Sequence, residues 1–302
     1  MRPAIITYPD DGIKPIGIIE FVHGMGEKKE RYVKAMKEFN KYGFICAVAD
    51  LKGHGENIST PEDYGYFGRE GVNGLVEDIR DYTMFLKRQF PNLPLILLGH
   101  SMGSLLVRIY AKKYSKEIEA LIISGSVSNN PLKVPGKILI KFIKFFKGER
   151  YRSPMISNLF TGAYERKFRK EGIVNAWLTR DRRVIDEYNA DDTLGFTFTL
   201  SGYSDIISML SMVYAKTGWR SINHTLPVMF MSGAEDPCKV SVKAFKKSVS
   251  FLKKCGFKDV YYKLYPDMRH ELFNELDNEE VYSDVLKFIE LKVGIEPVRN
   301  DD

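Results

Sequence analysis

Short runs of apolar residues, many of them β-branched, recur along the chain, and amphipathic stretches with helical spacing separate them. The central runs are apolar at consecutive positions, which is typical of strands that helices cover on both faces. The alternation predicts an α/β fold with a mostly parallel, doubly wound sheet. The predicted strands are Ala4–Tyr8, Ile16–Val22, Phe44–Ala49, Leu95–Leu98, Ala120–Ile123, Val228–Met231 and Val260–Leu264.

The strand pattern is interrupted once, between about Ser128 and Trp219, and resumes at Leu226. In this interval helical and loop segments carry lysine, arginine and aromatic residues instead. We therefore expect a helical cap inserted into the α/β core. The expected parts are the first core part at residues 1–127, the cap at 128–218 and the second core part at 219–302.

Composition and charge are typical of a folded protein and do not indicate a nucleic-acid partner. The chain has 302 residues, 44% apolar and 28% charged, which is ordinary for a folded protein. Its net charge of +6 is too small to indicate a nucleic-acid partner. Residues 131–190 contain 14 basic and 6 acidic side chains, so the positive charge lies on the expected cap.

Neither targeting signals nor cysteine pairs are evident in the sequence. No apolar run approaches the roughly 20 residues of a membrane helix, and the first residues do not resemble a secretion signal. The three cysteines, Cys46, Cys238 and Cys255, form no CxxC pair. We expect reduced thiols in a cytoplasmic protein, rather than a zinc site or disulfide bonds.

The most informative segment is an apolar strand followed by G-x-S-x-G and an amphipathic helix, with Gly99, Ser101 and Gly103 in the motif. A serine in such a turn holds its hydroxyl clear of the sheet, and the two glycines allow the neighbouring chain to approach. Ser101 is therefore the candidate nucleophile. The alternative is an ordinary strand-to-helix turn in which the serine only caps the helix.

A serine nucleophile needs a base, and five histidines are available. His270 follows the last predicted strand, at the carboxyl end where open parallel sheets place their chemistry. We expect His270 to be the base, although it could be a solvated loop residue. His100 should face away from the serine and pack, His23 and His54 lie in glycine-rich loops, and His224 is expected to be an exposed loop residue.

The imidazole needs a carboxylate to hold its tautomer. The strand ending near Met231 leads into a tight turn with two acids, Glu235 and Asp236. Asp236 is the first choice because it is shorter and Pro237 stiffens the turn, and Glu235 is the second. The order Ser101, Asp236, His270 is the one expected of this class of fold.

Attack on a carbonyl places negative charge on its oxygen, which two fixed N–H donors can stabilise. We expect these donors to be the amide of Met102, directly after the serine, and the amide of Met25, in a glycine-rich loop after an early strand. The alternative for that loop is a turn without a catalytic part.

Together these residues resemble the α/β-hydrolase superfamily, and within it the monoacylglycerol lipase and bacterial lysophospholipase group of serine aminopeptidase-like hydrolases. The resemblance covers nearly the whole chain, although the cap matches poorly outside residues 192–199, and Ser104 stands where many relatives have a second glycine. The similar segments are HGMGE at 23–27, DLKGHG at 50–55, GHSMGS at 99–104, GAEDP at 233–237 and RHELFNE at 269–275.

The resemblance implies hydrolysis of carboxylic esters by Ser101, Asp236 and His270, with no metal and no organic cofactor. It also implies that Met25 and Met102 supply the oxyanion amides. The expected partner is a small acyl ester or a lipid, of the monoacylglycerol or lysophospholipid type. An aminopeptidase of the same fold is the first alternative, although the basic cap does not favour a substrate ammonium group. A non-catalytic binding protein is the second.

The predicted helix from Val134 to Lys147 bears on the substrate. Its lysines lie on one side and its isoleucines and phenylalanines elsewhere, so it could rest transiently on an anionic membrane surface or line an acyl channel. The alternative is a lid helix that packs its apolar side on the core. We expect Gly24, Phe142 and Phe196 to contact the substrate.

Overall fold

A computed structural model describes residues 3–131, 133–219 and 222–298 of the chain. One seven-stranded sheet has the order β1-β3-β2-β4-β5-β6-β7. Strand β1 is antiparallel to β3, and all other neighbouring strands are parallel. The strands are β1 (Ala4–Thr7), β2 (Gly17–Val22), β3 (Phe44–Ala49), β4 (Leu95–His100), β5 (Ala120–Ser124), β6 (Val228–Gly233) and β7 (Val260–Tyr265).

All seven predicted strands are confirmed, with ends that agree or differ by at most two residues. The clearest difference is β4, which continues through Gly99 and His100. These two residues stay in the sheet because Gly99 pairs with Val22 and His100 pairs with Ser124. The extra pairs keep the end of β4 in the sheet up to the turn that carries Ser101.

Helices cover both faces of the sheet, as expected from strands that are apolar on both sides. Alternate strand residues divide into two clusters; Leu97 and Phe230 belong to one and Leu98 and Met231 to the other. The helices are α1 (Val33–Asn40), α2 (Gly71–Gln89), α3 (Met102–Tyr114), α4 (Lys133–Lys147), α5 (Pro154–Phe168), α6 (Arg182–Ala190), α7 (Leu200–Tyr214), α8 (Val242–Lys254) and α9 (Glu279–Val293).

Helices α4 to α7 lie between β5 and β6, where the strand pattern is interrupted. Helix α7 packs against α2 and α3 of the core and carries α4 on its other side. The division at residues 128 and 218 into a core and a cap stays a prediction. Within the ranges described, none of the helices combines the length and the apolar character needed to cross a bilayer.

The order of the strands places the candidate site. Strand β2 lies between β3 and β4, so the direction of winding reverses there, and such a reversal opens a crevice at the carboxyl ends of the strands. The glycine-rich loop follows β2 and the serine turn follows β4. The acid turn follows β6 and the histidine loop follows β7, which are also neighbours.

Candidate active site

Ser101 occupies a strained turn between β4 and α3. Its backbone has φ 52° and ψ −116°, a conformation that side chains other than glycine rarely adopt. The Ser101 amide donates to the Ser124 carbonyl at 3.0 Å. A Cβ on Gly99 would lie 2.5 Å from the Gly103 carbonyl oxygen, and one on Gly103 would lie 2.1 Å from the Val22 carbonyl oxygen. Both glycines are therefore required by close backbone packing.

Asp236 and His270 form a buried pair. His270 Nδ1 lies 3.0 Å from Asp236 Oδ1, which also accepts the Cys238 amide at 2.8 Å, while Oδ2 accepts the Ser232 hydroxyl at 3.0 Å. Burial acts to raise the pKa of Asp236, but the charge of His270 and these hydrogen bonds hold it below its usual value. The alternative acid, Glu235, instead pairs with Lys167 at 2.7 Å, and its side chain is 49% exposed.

His270 and Ser101 line one cavity, but they are not hydrogen-bonded to each other in the described part of the chain. The His270 Nε2 atom lies 3.8 Å from Cys238 Sγ instead. Burial acts to lower the pKa of His270, whereas Asp236 and Cys238 raise it well above 6.5. Catalytic hydrogen bonds are often long before a substrate binds, so this geometry is compatible with His270 as a base.

The loop after β2 presents one amide to the cavity. The Gly24 amide donates to Glu27 Oε2 at 2.6 Å, and the Gly26 amide donates to His54 Nε2 at 3.2 Å. The Met25 amide between them has no hydrogen-bond partner among the described residues. Met102, at the first turn of α3 where amides lack intrahelical acceptors, lines the same cavity as Met25.

A buried clamp joins this loop to the histidine loop. Arg31 pairs with Glu27 and donates two hydrogen bonds, each 2.7 Å long, to Glu271. Its guanidinium also lies 4.7 Å from the centre of the Tyr188 ring. Burial acts to raise the pKa of Glu27, but Arg31 and the nearby histidines lower it to about 2.

Sequence reasoning assigned no role to this clamp. Glu27 and Glu271 stand inside the two segments that resemble the family, HGMGE and RHELFNE, and Arg31 follows four residues after Glu27. The two glutamates can therefore be found in the sequence as parts of motifs. Their shared partner, Arg31, is 240 residues from Glu271, and only the fold brings these two side chains together.

Of the remaining histidines, His100 lies against the site, His23 holds a neighbouring loop and His224 lies elsewhere. His100 packs as expected, but it packs on His270, with ring centres 4.7 Å apart. Burial and the charge of His270 lower the pKa of His100 to about 4, so it is neutral near pH 7. His23 Nε2 accepts the Leu51 amide at 2.9 Å, while His224 lies on the surface, as expected.

The cavity has a volume of about 140 Å³ and is lined mainly by apolar and aromatic side chains from the inserted helices and the core. Phe196 lines it, and its role in substrate binding stays a prediction. Gly24 does not line it, but a Cβ on Gly24 would lie 3.1 Å from Ser101 Cβ. Phe142 does not line it, because its side chain is 63% exposed on α4, and its contact with the substrate stays a prediction.

Two groups of side chains in the described residues could each approach a metal ion: Asp236, Cys238 and His270, and Glu27, His100 and Glu271. In the second group both carboxylates are already paired with Arg31, so a cation would have to displace a buried guanidinium. The first group contains no lysine or arginine, and His270 is its one member that can carry a positive charge.

The geometry agrees with comparisons to known proteins. The monoacylglycerol lipase of Mycolicibacterium smegmatis is 26% identical over 275 residues, covering 91% of this chain and 88% of that protein. The monoglyceride lipase of Saccharomyces cerevisiae is 24% identical over 288 residues, covering 89% of this chain and 82% of that protein. The crystal structure of a thermostable carboxyl esterase from Bacillus coagulans, in complex with glycerol, has a TM-score of 0.87 at 25% identity and covers 96% of this chain and 94% of that chain.

These likenesses confirm the α/β-hydrolase fold and the resemblance to the monoacylglycerol lipase group, and they support a serine ester hydrolase. A match to one family runs from residue 13 to residue 277, which is most of the sequence. The chain belongs to the serine aminopeptidase, S33 family of the α/β-hydrolases.

Proposed function

We propose that this protein hydrolyses the carboxylic ester of monoacylglycerols or lysophospholipids, with Ser101 as nucleophile, His270 as base and Asp236 as the acid that orients it. The observation that carries the proposal is convergence: Ser101 and His270 line one cavity, although they are far apart in the sequence, and Asp236 is bonded to His270 at 3.0 Å. Met25 and Met102 line the same cavity and supply the oxyanion amides.

In the first half-reaction, His270 Nε2 takes the Ser101 proton while Oγ bonds to the ester carbonyl carbon. The carbonyl oxygen becomes an oxyanion on the amides of Met25 and Met102, each worth a few kcal/mol. The ester C–O bond then breaks, and the imidazolium gives its proton to the departing alcohol. The acyl group remains on Ser101.

In the second half-reaction, water replaces the alcohol. His270 takes a proton from the water while the water oxygen bonds to the acyl carbon, and the same two amides stabilise the oxyanion. The bond to Ser101 breaks, the imidazolium returns the proton to Oγ, and the carboxylic acid leaves. Asp236 keeps its charge throughout and stabilises the imidazolium.

The lining of the cavity supports an apolar acyl group. Leu105, Phe160, Phe196 and Ile206 surround the space beside Ser101. The relatives named above carry the names monoacylglycerol lipase and monoglyceride lipase. A cavity of about 140 Å³ is smaller than the roughly 300 Å³ at which drug-sized ligand pockets begin, so a long acyl chain requires the inserted helices to move outward.

Helix α4 supports transient contact with a membrane surface, from which a lipid substrate would be taken. Its exposed apolar side chains are Val134, Ile138, Phe142, Phe145 and Phe146, with Lys137, Lys141, Lys144 and Lys147 on the same helix. Apolar side chains that enter the interface, together with lysines that meet anionic lipid, form the pattern of an interfacial helix.

The test is a substrate panel measured with the wild type and with Ser101→Ala. The panel contains p-nitrophenyl esters from C2 to C16, a monoacylglycerol, lysophosphatidylcholine and an aminoacyl anilide. We expect ester hydrolysis by the wild type and a loss of at least about 10³-fold in Ser101→Ala. Activity on the anilide alone would overturn the substrate class, and equal activity in Ser101→Ala would overturn the nucleophile.

A further inference from the structure

Cys238 lies inside the candidate active site, where the proposed mechanism makes no use of it. Its thiol is buried, lines the cavity beside Ser101, and lies 3.8 Å from His270 Nε2. Among the residues described, that nitrogen has no other hydrogen-bond partner. In the proposed mechanism His270 Nε2 accepts the Ser101 proton, but in the structure this atom lies next to the sulfur atom of Cys238.

The pair has the spacing of two ligands on one tetrahedral ion. Zinc bonds are about 2.3 Å to thiolate sulfur and about 2.0–2.1 Å to imidazole nitrogen, so a tetrahedral angle separates the two ligand atoms by about 3.6 Å. The observed separation of 3.8 Å needs a shift of a few tenths of an ångström.

The surroundings also suit a metal. Asp236 bonds to the other ring nitrogen of His270, which is how carboxylates orient metal-binding histidines in proteins. Tyr164 lines the cavity and interacts with the Cys238 thiol, so a third donor is close. An oxygen of Asp236, the sulfur of Cys238 and a ring nitrogen of His270 lie within 4.8 Å of one another.

We propose that Cys238 Sγ and His270 Nε2 form an inhibitory binding site for a soft divalent cation such as Zn²⁺. The ion bonds to both atoms, the thiol proton and the proton on Nε2 of a protonated His270 are released to solvent, and water completes the coordination. An occupied Nε2 has no lone pair for the Ser101 proton, so hydrolysis stops until the ion leaves. The inhibitory part rests on the proposed function, whereas the binding site does not.

Binding is tested first without turnover, by titrating Co²⁺ into the reduced full-length protein and recording the thiolate-to-cobalt charge-transfer absorption. We expect the band in the wild type and in the matched control Cys255→Ala, and no band in Cys238→Ala. Cys46 remains in every variant, so a band that persists in Cys238→Ala would place the metal elsewhere. A wild type without the band would overturn the site.

Inhibition is tested with Zn²⁺ on p-nitrophenyl acetate hydrolysis, each variant relative to its own metal-free rate and with EDTA added to reverse the effect. Losing a ligand should raise the half-inhibitory Zn²⁺ concentration at least about tenfold in Cys238→Ala, since even indirect partners cost 10–100-fold. Equal inhibition of both proteins, or a cobalt band without inhibition, would overturn the inhibitory role. A metal-free wild type that hydrolyses no ester, yet shows the band, would overturn the proposed function and leave the metal site standing.

Discussion

The central sheet and helix α4 are both rich in apolar residues, but they bury them to opposite degrees. Every residue of β2, β4, β5 and β6 is buried. Helix α4 buries Ile140, whereas Phe145 is 83% exposed. Burial stabilises a fold by about 25 cal/mol per Å² of apolar surface, so the sheet residues account for stability and the exposed side of α4 does not. Exposed apolar surface indicates a binding function instead.

The largest expected effect concerns the carboxyl end of the sheet, where the proposed acid and base follow β6 and β7. Asp236→Asn removes the carboxylate that fixes the His270 tautomer, and we expect kcat to fall by about 10⁴-fold. Steady-state kinetics on a p-nitrophenyl ester measures the effect. Glu235→Gln is the matched control, because Glu235 pairs with Lys167 at the surface, and it should stay within a few fold of the wild type. If the two variants lose activity equally, the assignment of the acid is wrong.

The contributions of the sheet and of α4 to the free energy of unfolding can be compared by truncating one side chain in each. Leu97 in β4 is fully buried, so Leu97→Ala should lower the free energy of unfolding by about 2–5 kcal/mol. Phe145→Ala on α4 should change it by less than about 0.5 kcal/mol, because the ring is already in water. Urea denaturation at pH 7.5 measures both. A large loss in Phe145→Ala would mean that α4 packs its phenylalanines in solution, and the comparison would fail.

A smaller effect is expected when the exposed side of α4 meets lipid. Phe145→Ser combined with Phe146→Ser should weaken binding to anionic phosphatidylglycerol vesicles by at least about tenfold, since burying even one large apolar side chain contributes about 1.5–3 kcal/mol and about 1.4 kcal/mol corresponds to a factor of ten. Co-sedimentation measures this binding. Leu291→Ser is the control, because Leu291 is equally exposed but lies on α9. If the control weakens binding as much as the double variant, α4 has no special role.

The smallest effect is expected at α7, the helix that packs against α2 and α3 and also against α4. Asp205 is on α7 beside Gly71 of α2, and burial outweighs Lys144 and Lys137 of α4 to raise its pKa to about 6. An acid whose pKa is higher in the folded state destabilises the fold when it ionises. The cost is therefore complete above pH 6 and disappears as the pH falls toward the ordinary value near 4.

Asp205→Asn should accordingly stabilise the protein by about 1 kcal/mol at pH 7.5, after allowance for solvent screening of a partly exposed group. The gain should shrink at pH 4.5. Denaturation midpoints at the two pH values measure it, with Asp192→Asn as the exposed control. A gain that is the same at both pH values would assign the effect to something other than ionisation.

The strands could be predicted because each is a short apolar run that is buried whatever its neighbours are. Ser101, Asp236 and His270 could be selected as candidates because each follows a strand within a recognisable turn, and their catalytic roles stay a proposal. The position of Cys238 against His270 could not, because Cys238 was only one of three cysteines in the sequence and the contact forms between two loops. The Arg31 clamp was missed for the same reason.

The side of α4 that packs on the protein could not be predicted, for a different physical reason. Apolar residues recur around more than one side of α4, and a periodic pattern does not say which side packs. The structure buries Ile140 and leaves Phe142 outside. In the sheet, the question of which side is buried does not arise, because helices cover both of its faces.

The most direct test of the central claim is covalent labelling with a fluorophosphonate, followed by intact-mass and peptide mass spectrometry. We predict one phosphonyl adduct on Ser101 in the wild type and in Ser104→Ala, a control that removes the buried hydroxyl three residues away. We predict no adduct in Ser101→Ala and greatly slowed labelling in His270→Ala. Folded wild-type protein that stays unlabelled, or an adduct that persists in Ser101→Ala, would contradict the account.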